Sequence, residues 1–177
     1  VLLGVDNYNE NLNASHYRGI DTEANYQFEI DNIGSFTTQL SWHHGLKHEV
    51  SIFDGGVTDY IGTHTSSGGH QPKNKFNFSL NWQKEALSAG WVTYVIGEST
   101  TPGRAEDYQY KIDSWSYSNL NVNYRPKDNI AYSVGINNVF DQAPRRTMLT
   151  AGNTNSSGAY SPAFLGSSFF LRAKYTF

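Results

Sequence analysis

The sequence predicts an all-β fold, an antiparallel transmembrane β-barrel segment of about seven to eight strands. Three observations predict it. Apolar and polar residues alternate with a period of two over long stretches. Short turns alternate strictly with long polar loops. Aromatic residues make up 15% of the chain, with 12 Tyr, 10 Phe and 4 Trp, although the mean hydropathy is negative. A soluble β-sandwich or lipocalin-like barrel also alternates, but it turns its apolar face inward around a core. Strand length, the turn and loop asymmetry and the scarcity of leucine-rich packing positions favour the membrane wall.

The elements follow in chain order. Residues 1–8 read as the tail of a strand and 9–15 as a loop. From Tyr17 to Ile30, Ile20, Thr22, Ala24, Tyr26, Phe28 and Ile30 share one face. Asp21, Glu23, Asn25, Gln27 and Glu29 share the other. Residues 31–34 (Asp-Asn-Ile-Gly) form a turn, with Asn and Gly able to supply positive φ. Phe36, Thr38, Leu40 and Trp42 mark the next strand, and 46–72 reads as a long loop. Phe76, Phe78, Leu80 and Trp82 mark a third strand, followed by a short connection at 84–86. Over 87–97 the alternation fails. Trp91 and Val95 have one parity, while Val92, Tyr94 and Ile96 have the other. Either a bulge shifts the face there, or the inner side packs against something.

A second polar loop covers 98–113. The strand 114–125 sets Leu120, Val122 and Tyr124 against Asn119, Asn121 and Asn123. Trp115 and Tyr117 share the asparagine parity, so they point inward or lie beyond the membrane band. A turn at 126–129 leads to a final hairpin. Its first strand carries Ile130, Tyr132, Val134 and Ile136, and its loop runs over 139–166. Its last strand sets Phe169, Leu171, Ala173, Tyr175 and Phe177 against Arg172, Lys174 and Thr176. Seven strands and a stub are too few to close such a wall. The missing strands are expected from sequence upstream of Val1.

Composition narrows the function classes. A net charge of −3, from 13 basic and 16 acidic residues, gives no electrostatic case for nucleic acid. The absence of cysteine excludes disulfides and thiolate metal sites. No apolar run reaches the roughly 18 residues of a transmembrane helix. Ser and His are plentiful, but no motif places a nucleophile beside a base, so no catalytic residue and no cofactor is assigned. His43, His44 and His48 cluster at the top of a strand, with His64 and His70 in the loop beyond. Adjacent strand residues face opposite ways, so His43 and His44 do not share one ion easily. Solvated loop-end histidines are the favoured reading, and no metal site is assigned.

Arg104, Arg145 and Arg146, with Tyr108, Tyr110 and Trp115, are candidates for an outer vestibule that binds anionic ligands. The competing reading is lipopolysaccharide contact or plain surface charge. Asp21, Glu23, Asn25, Asn119, Asn121, Asn123, Arg172 and Lys174 are the expected lumen or plug-facing residues. For most of them a solvated inner wall is the favoured role. Trp42, Trp82, Tyr132 and Tyr175 read as interfacial girdle residues.

The stretch Val134-Gly135-Ile136-Asn137-Asn138-Val139-Phe140-Asp141-Gln142-Ala143-Pro144 resembles the segment before the last strand of the TonB-dependent outer-membrane receptors. The ending Tyr175-Thr176-Phe177 and the strand from Tyr17 to Glu23 are similar to that family as well. Pro72 to Trp82 is similar to its proline-led aromatic strand. The family's usual Gly-Arg before the last strand is Gly166-Ser167 here.

The resemblance implies the C-terminal portion of a larger, roughly 22-stranded outer-membrane barrel, located in the bacterial outer membrane. It implies TonB-driven uptake of a scarce nutrient such as a ferric siderophore, rather than an enzyme. The plug domain and the TonB-binding box are not recognisable in these residues. Implied partners are the remainder of the barrel and the plug, the TonB complex, outer-membrane lipid and lipopolysaccharide. Tyr175 and Phe177 would form part of the signal read by the barrel-assembly machinery. A small passive porin or adhesin-type barrel is the alternative, with a soluble ligand-binding β-barrel behind it.

Overall fold

The computed structural model describes residues 14–52, 56–65, 69–102, 109–145 and 165–177; the predicted stub at 1–8 lies outside them. All regular structure among these residues is β. The strands are β1 (Ala14–Ile30), β2 (Gly34–Ile52), β3 (Gly56–Asp59), β4 (Thr63–Thr65), β5 (Gly69–Gln71) and β6 (Asn74–Lys84). They continue as β7 (Leu87–Ile96), β8 (Ser99–Pro102), β9 (Gln109–Ile112), β10 (Trp115–Lys127), β11 (Ile130–Asn137) and β12 (Ser168–Tyr175). One antiparallel wall has the order β1-β2-β6-β7-β10-β11-β12, with β3 paired to β2. Among the described residues this wall does not close on itself, and β1 and β12 are its two ends. A second sheet, β5-β4-β8-β9, is built from the two long loops.

Register fixes the two faces of the wall. Phe28, Phe36, Trp82, Ala89, Val122, Val134 and Leu171 form one cross-strand row. Tyr26, Thr38, Leu80, Trp91, Leu120, Ile136 and Phe169 form the next. These rows are uncovered: Leu171 is 82% exposed and Phe169 75% exposed. Among the described residues only three hydrophobic side chains, Tyr60, Ile112 and Trp115, are buried. A soluble sandwich or barrel would cover its apolar rows with a core. Here nothing among the described residues covers them, which fits rows that meet lipid. The 11 residues of β6 match the roughly 9–11 that cross a bilayer at a tilt.

Polar ends on the aromatics bound the apolar rows. At the loop end the Trp42 indole donates to Asn74 Oδ1 at 3.0 Å. At the turn end the Trp82 indole donates to the Ile33 carbonyl at 2.9 Å. An indole with an apolar body and one satisfied N–H suits the membrane interface. The short turns carry the strain that such turns need, with Asn32 at φ 63 and Glu85 at φ 51.

Several expectations change. The loops predicted at 46–72 and 98–113 contain strands, because β2 runs on to Ile52 and the loop segments pair with each other. The extension begins at a bulge. Arg18 faces Lys47 while Gly19 faces Gly45, so Leu46 is the extra residue. Thr63 of one loop pairs in parallel with Thr100 of the other. The turn predicted at 126–129 is shorter, since β10 continues through Lys127. Pro126 is tolerated there because the ladder shifts between Tyr124 and Lys127. Over 87–97 there is no bulge: β7 keeps an unbroken register with both neighbours. Val92, Tyr94 and Ile96 face inward, where Tyr94 stacks on Tyr117 at 4.9 Å between ring centroids.

The final hairpin is closed by Asn138, which is fully buried at φ 52. Its amide nitrogen donates to the Gln142 carbonyl at 3.0 Å, and its side-chain oxygen accepts the Gln142 N–H at 2.9 Å. Its backbone N–H donates to Asn119 Oδ1 at 2.9 Å, and its carbonyl accepts the Ser167 hydroxyl at 2.5 Å. Asp141 Oδ1 accepts the Ser167 N–H at 2.9 Å. Beside this clamp, a Cβ at Gly135 would sit 2.4 Å from the Phe170 ring. The glycine therefore leaves room for the aromatic of the last strand to lie across it.

Two predictions follow from these contacts. Asn138→Ala removes both side-chain hydrogen bonds to the Gln142 backbone, a loss of about 0.5–1.5 kcal/mol each. In the full-length protein it should lower the temperature at which heat-modifiable gel migration is lost, whereas Asn137→Ala should not. In the small sheet, burial, then His64 and Lys75, push His70 down to about 4, and burial also lowers His64. Unfolded histidines titrate near about 6.5, so the open state binds more protons between these values. Sheet stability is full above about pH 6.5 and is lost as pH falls towards about 4. Hydrogen exchange over 63–71 and 99–101, corrected for intrinsic rates, should show more opening at pH 5 than at pH 7.5. Replacing His70 with Gln should reduce that difference.

Candidate functional site

The face opposite the apolar rows is polar, and two recesses lie along it. Its rows run across strands. Asn25, Gln39, Ser79, Val92 and Asn119 form one. Gln27, Thr37, Asn81, Gly90, Asn121 and Gly135 form the next. Glu29, Ser35, Gln83, Ser88, Asn123, Ser133 and Arg172 follow. Asparagines and glutamines dominate because each can donate and accept on a wetted wall. Gly90 lets two of them approach: a Cβ there would meet Asn121 Oδ1 at 2.4 Å and Asn81 Oδ1 at 3.1 Å. A recess of about 300 Å³ lies at this level, lined in part by Gln27, Thr37, Asn81, Asn121 and Asn123.

Nearer the loop end the wall changes character. A recess of about 530 Å³ is lined by Asp21, Glu23, His43, Lys75, Tyr94 and Tyr117 among others. Glu23 Oε1 accepts from Asn25 at 3.0 Å and from Gln39 at 2.6 Å, which holds its carboxylate against the wall. Asp21 and His43 are direct cross-strand partners, and His43 pairs Lys75 on its other side. The Asp21 carboxylate is 2.5 Å from His43 Nδ1, so that nitrogen is the donor. In the neutral ring Nε2 is then an acceptor, and it takes the hydroxyl hydrogen of Tyr17. Tyr17 also stacks on the His43 ring. Its edge meets His48, which the bulge has returned to this face.

Trp115 closes the upper edge. It is 3% exposed and packs with Ile96 and Tyr117. Its indole donates to the Ala143 carbonyl at 2.8 Å. The arrangement offers aromatic faces, a cation and an ordered Tyr-His-Asp chain in one concave region. That combination can hold a partly aromatic ligand through stacking and hydrogen bonds.

Asp21, Glu23, Asn25, Asn119, Asn121, Asn123 and Arg172 share this polar face, and Lys174 lies two residues further along the same strand. Asn119 accepts the Asn138 N–H, so its side-chain oxygen is engaged. Of the vestibule candidates, Trp115 and Arg145 come together. Arg145 donates to the Ser114 carbonyl at 2.9 Å, beside the Ala143 contact of Trp115. Trp115 is enclosed rather than presented. Tyr110 lies apart in β9, opposite Thr101. Arg104, Tyr108 and Arg146 fall outside the described residues. Tyr175 and Phe177 sit edge to face at 4.9 Å.

His43 and His44 do face opposite ways, and both lie within β2 rather than at a loop end. His44 Nδ1 donates to Asn74 Oδ1 at 2.8 Å on the apolar side. Sequence reasoning missed Tyr17, Lys75 and the Tyr94-Tyr117 stack as parts of one region. The broken alternation at 87–97 was their signal. Among the described residues no group of three or more His, Cys, Asp or Glu side chains is arranged to hold a metal ion.

Comparison with known proteins gives a consistent picture. The family model described as TonB dependent receptor-like, beta-barrel matches residues 2–139. No curated protein matches the sequence. Among solved structures, the chain is similar to FpvA of P. aeruginosa in complex with a pyoverdine, at TM-score 0.56 and 13% identity. That match covers 90% of this chain and 19% of FpvA. The FrpB iron transporter of Neisseria meningitidis matches at TM-score 0.57 and 15% identity, over 96% of this chain and 29% of that one. The ferric enterobactin receptor PfeA of Pseudomonas aeruginosa matches at TM-score 0.53 and 15% identity, over 88% and 22%. The chain spans less than a third of the length of each.

These 177 residues contain no cysteine, so single cysteines placed among them in an otherwise cysteine-free protein check the two faces directly. Single cysteines at Asn77, Asn121 or Asn123 in the full-length protein should react with a water-soluble thiol reagent. Cysteines at Phe78, Leu80 or Val122 should not. Equal labelling of both sets would reverse or abolish the assignment.

Proposed function

The chain belongs to the TonB-dependent receptor-like β-barrel family, a family of outer-membrane transporters rather than enzymes. From that premise we propose that it is the C-terminal portion of the roughly 22-stranded barrel of such a receptor. The receptor takes up a scarce nutrient, such as a ferric siderophore, in a TonB-driven step. The plug domain and the TonB-binding box belong to the remainder of the protein, and the barrel resides in the bacterial outer membrane. Lipid and lipopolysaccharide bathe the apolar rows, and the barrel-assembly machinery reads the exposed Tyr175 to Phe177 end.

The observation that carries this reading is the change of character along the inner wall. A porin wall needs only hydrophilic lining and passage. Here a hydrated amide wall gives way, under the loops, to a recess with the Tyr94-Tyr117 stack, Lys75 and the Tyr17-His43-Asp21 chain. Stacking surfaces beside hydrogen-bonding side chains suit a chelate that carries aromatic groups. Transport against a gradient requires specific capture first, and such a region supplies contacts for capture.

The test uses the full-length receptor in its own outer membrane under iron limitation. Uptake of a labelled ferric chelate should be saturable and should stop when TonB is removed or the proton gradient is collapsed. Lys75→Ala combined with Tyr117→Ala should weaken chelate binding by about 10-fold or more while barrel migration on gels is retained, a loss of about 1.4 kcal/mol. Uptake that continues without TonB would overturn the proposal in favour of a passive porin.

A further inference from the structure

The sheet made by the two long loops turns one face of histidines and hydroxyls inward. His64 of β4 and His70 of β5 are direct cross-strand partners, and their ring centroids are 5.2 Å apart. Thr63 pairs with Thr100, so alternation places Ser99 and Thr101 of β8 on the histidine side. The Nε2 of His70 lies 3.1 Å from the Ser99 hydroxyl. This face is closed: His64 is 6% exposed, Ser99 2% and Thr101 4%. His64 Nδ1 is buried with no hydrogen-bond partner among the described residues. Buried polar atoms in that condition are rare, and each costs about 1–3 kcal/mol unless something occupies it.

The spacing of the rings has a chemical meaning. Two imidazoles bound to one tetrahedral cation have bonds of about 2.0–2.1 Å and ring centres about 1.2 Å beyond each nitrogen, so their centroids lie about 5 Å apart. The pair already has that separation. No carboxylate joins the cluster among the described residues, which excludes the oxygen cage that Ca²⁺ or Mg²⁺ requires.

We propose that His64 and His70 bind a borderline divalent cation of the Zn²⁺, Cu²⁺ or Ni²⁺ class, with the Ser99 hydroxyl and water completing its shell. Imidazole nitrogen is the ligand this class prefers. The cation enters between the rings and takes over the His70–Ser99 contact. It thereby ties β4, β5 and β8, and with them both loops, into one unit above the polar recess. With two protein imidazoles the site is exchangeable rather than a permanent structural centre. It does not depend on the transported ligand or on TonB, so it stands or falls apart from the transport reading.

The test takes the full-length receptor in detergent, stripped with chelator and titrated calorimetrically with Zn²⁺. His64→Gln and His70→Gln should each bind one Zn²⁺ fewer per receptor than the parent, with normal gel migration. Thr101→Val, on the same face, should bind as the parent does, and Mg²⁺ should give no binding at this site. Equal Zn²⁺ binding by the parent and both histidine variants would overturn the proposal. So would an equal loss in Thr101→Val, which would trace the effect to disturbed packing. A second measurement needs no variant. Zn²⁺ should slow hydrogen exchange of 63–71 and 99–101 at least 10-fold, and unchanged exchange would overturn the proposal as well.

Discussion

Every feature of this wall depends on the need to pair backbone N–H and C=O groups where no water can reach them. The antiparallel ladder from β1 to β12 meets that need across seven strands without interruption in the apolar band. Because the ladder sets the register, it also decides which side chains meet lipid and which meet water. Where the apolar rows stop, the constraint relaxes. The bulge at Leu46, the change of pairing partners and the parallel Thr63-Thr100 contact all lie on the loop side of Trp42.

The inner wall shows how function can be written as a departure from pattern. An amide-lined surface needs no more than alternation. The run Val92, Tyr94, Ile96 breaks it by placing apolar side chains on the wet side, where Tyr94 meets Tyr117 and Ile96 meets Trp115. Water does not stabilise such residues on an inner wall, so they persist only if they pack against one another or against a ligand. The Tyr17-His43-Asp21 chain adds order at the same level. Each of its polar groups has its partner on the neighbouring strand or through it.

The residues that carry the family resemblance have mechanical roles in the structure. Asn138 at positive φ ties its own loop, β10 and the residue preceding β12 into one corner. Asp141 completes that corner at Ser167, the position where the family usually has arginine. Gly135 clears the space that the Phe170 ring fills. These contacts set where the last strand begins, and therefore the register of the edge that the closing strand of a barrel would meet.

The sequence by itself determined the strand class, the alternating faces and the short turns. Those properties follow from a local period of two and from turn chemistry, which are present in every ten-residue window. It also favoured a membrane wall through strand length and the turn and loop asymmetry, while the exposure of Phe169 and Leu171 came from the structure. The tertiary structure alone decided the rest. Tyr17 meets His48 through a pairing offset set by a bulge, and Thr63 meets Thr100 across 37 residues of chain. His64 is buried because a second loop lies over it. Such meetings depend on register and on which strands become neighbours. No local pattern encodes either, because the ladder energy is the same for many registers until the side chains on both faces select one.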